Sequence, residues 1–305
     1  MKRLIIVYSP NSTRFSEVQR KVIDKSRKLK GWMVAKFVIK EAPLIENAKG
    51  LASVIRKGDL ILSAGGDGTA AVVANAIMIS NKIATMAVMP FGNFNDFAET
   101  LGTIDFERII KKYEEGRFDP YYPMEVLVNG RHYVYSSVYF TVGMLAEAAG
   151  VMKKTKVRKK LKRARNRLWF TARKMFRWYL KNKRRSDYLL NGSKLNRKKF
   201  KKGTTDYVAM NGESMAGLVP GGTWYKSKDQ FWSGAMKNRS FWRMLVKFMK
   251  ALEGKLPGSR TKVDVISFPE KCDVFVHTEG EGECLKDVSE IKIFKNGRGL
   301  RVIKA

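Results

Sequence analysis

Leu60-Ile61-Leu62-Ser63-Ala64 runs directly into Gly65-Gly66-Asp67-Gly68-Thr69, and an apolar, Ala-rich stretch, Thr69–Ile79, follows at once. A short apolar run, a turn of glycines and a helical pattern in immediate succession predict a strand–turn–helix unit. The unit sits in a longer alternation. Leu4–Tyr8, Met33–Ile39, Asp59–Ser63 and Ile83–Met89 read as strands, while Ser16–Leu29, a stretch containing Leu51–Ile55, and Thr69–Ile79 read as helices. Such alternation predicts an open α/β sheet with helices on both faces. After Pro120 the pattern changes. Met124–Val128 and His132–Phe140 flank Asn129-Gly130, a pair that tolerates positive φ and predicts a hairpin. Asp206–Met210, Val263–Phe268, Val274–His277, Ile291–Phe294 and Leu300–Ile303 are further predicted strands, and Trp242, Leu245, Val246, Met249 and Leu252 form one face of a predicted helix before Gly254. The fold class is therefore α/β, with an open α/β domain over residues 1–123 and a mainly β domain from residue 124.

The 305 residues carry 60 Lys+Arg against 28 Asp+Glu, a net charge of +32. The excess is concentrated: Val151–Lys202 holds 23 basic residues against the single acid Asp187, which leaves only +10 for the rest of the chain. Within it Val157, Leu161, Ala164, Leu168, Ala172, Met175 and Tyr179 fall at helical spacing, which predicts a basic helical insertion with an apolar stripe. Trp169, Phe170, Phe176 and Trp178 widen that apolar surface. Three readings of the segment stand: a helix packed on its own domain with a solvated basic face, a helix on an anionic membrane, and a nucleic-acid surface. For the membrane reading the contacting residues are Lys159, Lys160, Arg163, Arg167, Trp169, Lys174 and Trp178.

Other features bound the function by exclusion. Two cysteines, Cys272 and Cys284, exclude a disulfide scaffold and a multi-cysteine zinc site, and fit the cytoplasm. His132 and His277 have no metal-ligand spacing. Leu4–Tyr8 is shorter than the roughly 7–15 apolar residues of a secretory signal and is expected to be a core strand. No run approaches the roughly 18 apolar residues of a membrane span.

The glycine-rich turn carries the chemistry. Adjacent glycines let the backbone approach a ligand closely, and the N-terminus of the following helix offers N–H groups and a positive dipole end to an anion. Asp67 would repel phosphate unless it faces a metal ion or a hydroxyl that must lose its proton; otherwise it caps the turn. No Gly-Lys-Ser/Thr follows, so this is not a Walker loop. The second turn, Pro90-Phe91-Gly92-Asn93-Phe94-Asn95-Asp96-Phe97-Ala98, ends the next predicted strand. Open α/β sheets bind ligands at the carboxyl ends of their strands, so two polar turns there predict one nucleotide cleft.

Gly-Gly-Asp-Gly-Thr, followed by Pro-x-Gly-x-x-Asn-Asp-Phe-Ala, resembles the diacylglycerol kinase catalytic domain family. That family includes bacterial diacylglycerol kinases and sphingosine and ceramide kinases, and it shares its first domain with NAD kinases. The resemblance implies an NAD-kinase-like nucleotide domain, a second, β-sandwich-like lipid domain over 124–290, and C-terminal strands over 291–305 that return to the first domain. It assigns nucleotide binding to Gly65, Gly66, Asp67, Gly68, Thr69, Asn93, Asn95 and Asp96, with Asn93 where the family usually has Thr. Thr278-Glu279-Gly280-Glu281 resembles the family's catalytic Asp-Gly-Glu, with Glu279 replacing Asp; its alternative is an exposed acidic hairpin tip. Ser9-Pro10 resembles an early Asn-Pro, Gly143–Ala148 a Gly-x-Gly-Phe-Asp-Ala with Glu147 at the Asp position, and Asn211 with Gly221-Gly222 a second-domain loop. Ser233-Gly234 replaces an acidic Asp-Gly linked to a structural metal.

The implied activity is transfer of the γ-phosphoryl group of ATP to the hydroxyl of a membrane lipid such as diacylglycerol, with Mg2+ bridging the phosphates. Glu281 is the expected base, and Asp67 and Glu279 orient magnesium, with Asp67 as its protein ligand, or share the proton network. The expected place of action is cytoplasmic, on the inner face of the membrane, and a homodimer is left open. The alternatives are a nucleic-acid-binding protein that uses residues 151–202, a lipid-kinase homologue with impaired catalysis, and a soluble NAD-type kinase, which the Asn-Asp-Phe-Ala sequence disfavours.

Overall fold

The computed structural model describes residues 1–10, 12, 14–92, 95–153, 170, 173–174, 177–178, 180–181, 190, 192–215, 219–237, 250, 253, 258–279 and 281–305. Lys2–Tyr8 (β1), Trp32–Val38 (β2), Leu60–Gly65 (β3) and Thr85–Pro90 (β4) are parallel neighbours in the order β2-β1-β3-β4. The helices are Phe15–Val18 (α1) and Asp24–Ser26 (α2), joined by a π-helical turn at Gln19–Ile23, then Leu44–Val54 (α3), Asp67–Ser80 (α4), Asp96–Leu101 (α5) and Phe106–Glu114 (α6). Residues along each strand point alternately to the two faces. Ile5, Val7 and Ile61 therefore bury against α3 and α4, and Leu4, Ile6, Leu60 and Leu62 against Val18, Val22 and the apolar side of α6. This is the expected α/β sheet covered on both faces.

The second sheet is antiparallel. Asp119–Tyr121 (β5) still belongs to the first sheet, and Met124–Val128 (β6), Arg131–Ser136 (β7) and Tyr139–Gly143 (β8) begin the second. Asn129 and Gly130 close the β6–β7 hairpin with φ of +49° and +76°. Met144–Lys153 (α7), Lys194–Leu195 (β9), Lys198–Lys199 (β10) and Thr204–Met210 (β11) follow. Ser214–Met215 (β12) and Val219–Pro220 (β13) pair with each other, and Phe231–Lys237 (β14), Ser259–Thr261 (β15), Val263–Thr278 (β16) and Glu281–Phe294 (β17) complete the sheet. Its main path runs β15-β14-β11-β8-β16-β17-β6-β7. The predicted strands Val263–Phe268 and Val274–His277 are one strand of 16 residues, bent by register shifts near Cys272. Ile291–Phe294 remain in β17 beside β6, while Leu300–Val302 (β18) enters the first sheet, parallel to β4 and antiparallel to β5.

α4 is apolar and nearly all buried because it lies between the first sheet and the second domain. Its one buried amide, Asn75, behaves as a peptide group of the neighbouring strand. Asn75 Nδ2 donates to the Tyr135 carbonyl at 2.8 Å, and Asn75 Oδ1 accepts from the Tyr135 amide at 2.8 Å. One continuous apolar core therefore runs from α3 and α4 into the β7, β8 and β11 layer.

Of the basic segment, Phe170, Arg173, Lys174, Arg177, Trp178, Leu180 and Lys181 are helical. Lys174 Nζ lies 6.0 Å from the centre of the Phe170 ring, and Trp178 is half-buried. Lys159, Lys160, Arg163, Arg167 and Trp169 lie outside the described residues, as does the apolar face predicted from Trp242 to Leu252. Among the described residues no helix is long and apolar enough to cross a membrane.

Candidate functional site

β3 and β4 end at the same level. Gly65 pairs with Pro90, and the Phe91 amide donates to the Gly65 carbonyl at 2.8 Å. The two polar turns are therefore side by side at the carboxyl end of the sheet. Gly65 is required sterically: a Cβ there would lie 2.3 Å from Thr69 Oγ1 and 2.7 Å from Thr69 Cβ. Thr69 thus folds its side chain back over the turn. Gly66 precedes α4, and its carbonyl accepts from the Thr69 and Ala70 amides.

Asp67 is buried at the first residue of α4, and Asp67 Oδ1 accepts from the Phe97 amide at 3.1 Å. Phe97 is the second residue of α5, so Asp67 supplies an anchor that the N-cap residue of that helix, Asn95, does not. The capping role foreseen for Asp67 exists, but it serves the helix of the second turn. Burial pushes its carboxyl well above the usual range, and repulsion from Asp96 and Glu279 adds to this, while the Phe97 and Asp96 amides oppose it. Asn95 closes its own turn: its Oδ1 accepts from the Gly92 amide at 3.0 Å. Asp96 is buried and accepts from Ser214 Oγ at 2.7 Å, a contact from β12 of the second domain. Thr100 Oγ1 accepts from the Glu213 amide at 3.2 Å, so α5 is held from both domains. Asn93 lies outside the described residues.

The hairpin of β16 and β17 delivers its tip to the same seam. Thr278 pairs with Glu281, and the Glu279 carbonyl lies 3.8 Å from where a Gly68 Cβ would stand, over the first turn of α4. The tip is not solvent-exposed at Glu279, which is 1% accessible and has a φ of +23°. Its carboxylate turns toward the segment that joins β7 to β8: Oε1 accepts from the Val138 amide and from Ser136 Oγ at 3.1 Å. Oε2 is buried with no hydrogen-bond partner among the described residues. Burial raises its pKa to about 7 although those hydrogen bonds oppose the rise. Glu281 begins β17; its backbone is placed, and its side chain lies outside the described residues.

Two participants carried no local signal. Arg14 Nη2 donates to the Pro90 carbonyl at 2.9 Å, and Ser12 Oγ donates to the Phe91 carbonyl at 3.0 Å, which puts a cation and a hydroxyl at the lip of the second turn, just after Ser9-Pro10. Asn211 is buried and donates to the Tyr122 and Ser137 carbonyls at 2.9 and 2.7 Å. Gly143, with a φ of +107°, would drive a Cβ to 2.1 Å from the Thr205 carbonyl oxygen, so its glycine is a packing requirement. His132 bonds Glu125 and His277 stacks on Tyr139, each as a strand residue. Cys272 and Cys284 are free thiols on β16 and β17.

Comparison with known proteins agrees with this fold. The sequence pattern of the diacylglycerol kinase catalytic domain matches residues 3–126. A diacylglycerol kinase of Bacillus subtilis (strain 168) is 33% identical over 137 residues, 44% of this chain and 44% of that protein, so the match spans less than half of that relative's length. Two solved structures from Bacillus anthracis str. Sterne, described as a diacylglycerol kinase and a putative diacylglycerol kinase, are similar along the whole chain. They cover 100% of it and 97% of their own chains, with TM-scores of 0.62 and 0.64 at 16% and 20% identity. Residues 3–126 thus match the sequence pattern of the diacylglycerol kinase catalytic domain, and the whole chain takes the fold of those bacterial structures.

Proposed function

We propose that this chain is an ATP-dependent lipid kinase that transfers the γ-phosphoryl group to the hydroxyl of a membrane lipid such as diacylglycerol. The observation that carries the reading is the convergence of the two polar turns with the hairpin tip of the second domain over the first turn of α4. The α4 N-terminus attracts phosphate through its first-turn amides and dipole, and the glycines at 65, 66 and 68 keep side chains out of the way. Magnesium bound with ATP supplies charge neutralisation during transfer. It is commonly held by one or two carboxylates together with phosphates. Buried Asp67, repelled by Asp96 and Glu279, suits that role, and among the described residues no three His, Cys, Asp or Glu side chains form a metal cage of their own.

In the reaction the lipid oxygen forms a bond to the γ-phosphorus as the bond to the ADP oxygen breaks. The hydroxyl proton passes to Glu281. Glu279, tied to Ser136 and Val138, holds the tip that carries Glu281. The basic segment 151–202 brings the cleft to an anionic bilayer, since basic residues near a surface gain about 1 kcal/mol each from acidic lipid.

Incubation of the purified chain with ATP labelled in the γ-phosphate and a total lipid extract should yield a labelled phospholipid. Asp67→Asn and Glu281→Gln should each lower the rate about 100-fold or more. Full activity in both variants would remove the site assignment, and a folded chain that labels no lipid would favour the impaired homologue. Binding to anionic vesicles should weaken with salt and on deletion of 151–202. Intact vesicle binding with lost RNA binding in that deletion would favour the nucleic-acid reading.

A further inference from the structure

A cavity of about 480 Å3, broadly open to solvent, lies at the end of the first sheet opposite the glycine-rich turns. Its wall includes the start of β18, where Arg301 pairs with Thr85 at the beginning of β4, whereas Pro90 at the other end of β4 pairs with Gly65. At about 3.3 Å per residue the two ends of β4 are roughly 17 Å apart, so this space is separate from the proposed nucleotide cleft. Its volume falls within the range of roughly 300–1,000 Å3 typical of small-molecule sites.

The side chains around it are chemically uncommitted. Arg301 lies on the face of Phe118, with its guanidinium carbon 4.4 Å from the ring centre, and Lys228 approaches from the second domain. Neither cation, nor the Asp119 carboxylate beside them, has an ion-pair partner among the described residues. The Lys228 loop is anchored from beneath: buried Lys295 donates to the Trp224 and Ser227 carbonyls at 2.6 and 3.0 Å. A Cβ added at Gly297, where φ is +76°, would meet nothing within 4 Å. That part of the wall is therefore bare backbone.

Two cations and one carboxylate line the same wall, leaving an excess of positive charge that an anion would neutralise. Stacking fixes the plane of the Arg301 guanidinium, which favours the forked hydrogen bonds that phosphate oxygens accept. Asp119 weakens the site for a bare anion but can accept from a hydroxyl or ring N–H, and Tyr122 adds an aromatic face. We propose that this interdomain cavity binds a phosphate monoester carried on a hydroxylated or heteroaromatic scaffold.

The test is calorimetric titration of the full chain with glycerol 3-phosphate, AMP and inorganic phosphate at low salt. At least one ester should bind more tightly than inorganic phosphate; saturation by the first identifies a polyol ligand and by the second a nucleotide. Arg301→Gln and Lys228→Gln should each weaken that ester about tenfold, since each removes a charged hydrogen bond. Gly297→Asn, which tolerates positive φ, should block it by occupying the space. Asp67→Asn, at the far end of the sheet, should leave the affinity unchanged. Both cations are exposed, so unchanged melting of their variants checks the fold. The proposal is overturned if neither ester binds, if binding survives both cation substitutions, if Asp67→Asn abolishes it, or if inorganic phosphate binds as tightly as the esters.

Discussion

Glu279→Gln isolates the electrostatic cost of the hairpin tip. The folded carboxyl holds its proton up to about pH 7, against an ordinary value of 4.5, because burial outweighs the hydrogen bonds to Oε1. Between those two pH values the folded chain keeps a proton that the unfolded chain has released, so stability falls as pH rises through the window. With about 1.4 kcal/mol for each pH unit, the ionised side chain costs about 3 kcal/mol above pH 7 relative to its protonated form. Glutamine keeps an acceptor for Val138 and Ser136 and does not titrate. Urea unfolding of both proteins at several pH values measures the difference. The stability of the wild type relative to the variant should drop by about 3 kcal/mol from pH 4.5 to 7 and stay level beyond. A difference that does not change with pH would refute the account, because it would mean that Glu279 titrates alike in both states.

Two further substitutions test the packing that sets up the site. Gly65→Ala should destabilise the chain by about 1–3 kcal/mol, since the new methyl meets both Thr69 Oγ1 and Thr69 Cβ and no rotation of Thr69 clears them; adding Thr69→Gly should recover much of that in chemical denaturation. Asn75→Ala should cost about 2–5 kcal/mol by leaving the buried amide and carbonyl of Tyr135 unpaired, and a loss below about 1 kcal/mol in the same assay would show that water or a shifted strand replaces them.

The legible parts of this molecule are those with local causes. Strand–helix alternation, the glycines at the end of β3 and the Asn129-Gly130 hairpin follow from residues adjacent in sequence, and each stands where its pattern predicts. The obscure parts depend on partners far along the chain. Asp67 anchors an amide 30 residues away, and Asn75 bonds a strand 60 residues away, so neither side chain announces its role beside its own neighbours. Pro269-Glu270-Lys271 looks like a break between two strands, but the bulged, exposed centre of β16 absorbs it. Glu279 and Glu281 are two residues apart in an acidic turn, and no sequence pattern says that the Glu279 carboxylate turns toward Ser136 and Val138.

Those distant bonds share one target. Tyr135 is gripped by Asn75 from α4, while Ser136 and Val138, the next residues of the same segment, are gripped by Glu279 from the hairpin tip. The link between β7 and β8 is therefore the piece through which the helix behind the glycine-rich turn and the hairpin carrying Glu281 sense each other. If it is one rigid unit, loosening either grip partly releases the other, and the two losses do not add. Asn75→Ala and Glu279→Ala should then show a coupling of about 0.5–3 kcal/mol in a double-mutant cycle at pH 6, where both grips are intact in the wild type. Strict additivity would mean that the two contacts fix their ends of the segment independently, and that the tip is positioned over α4 by its own strand pairing alone.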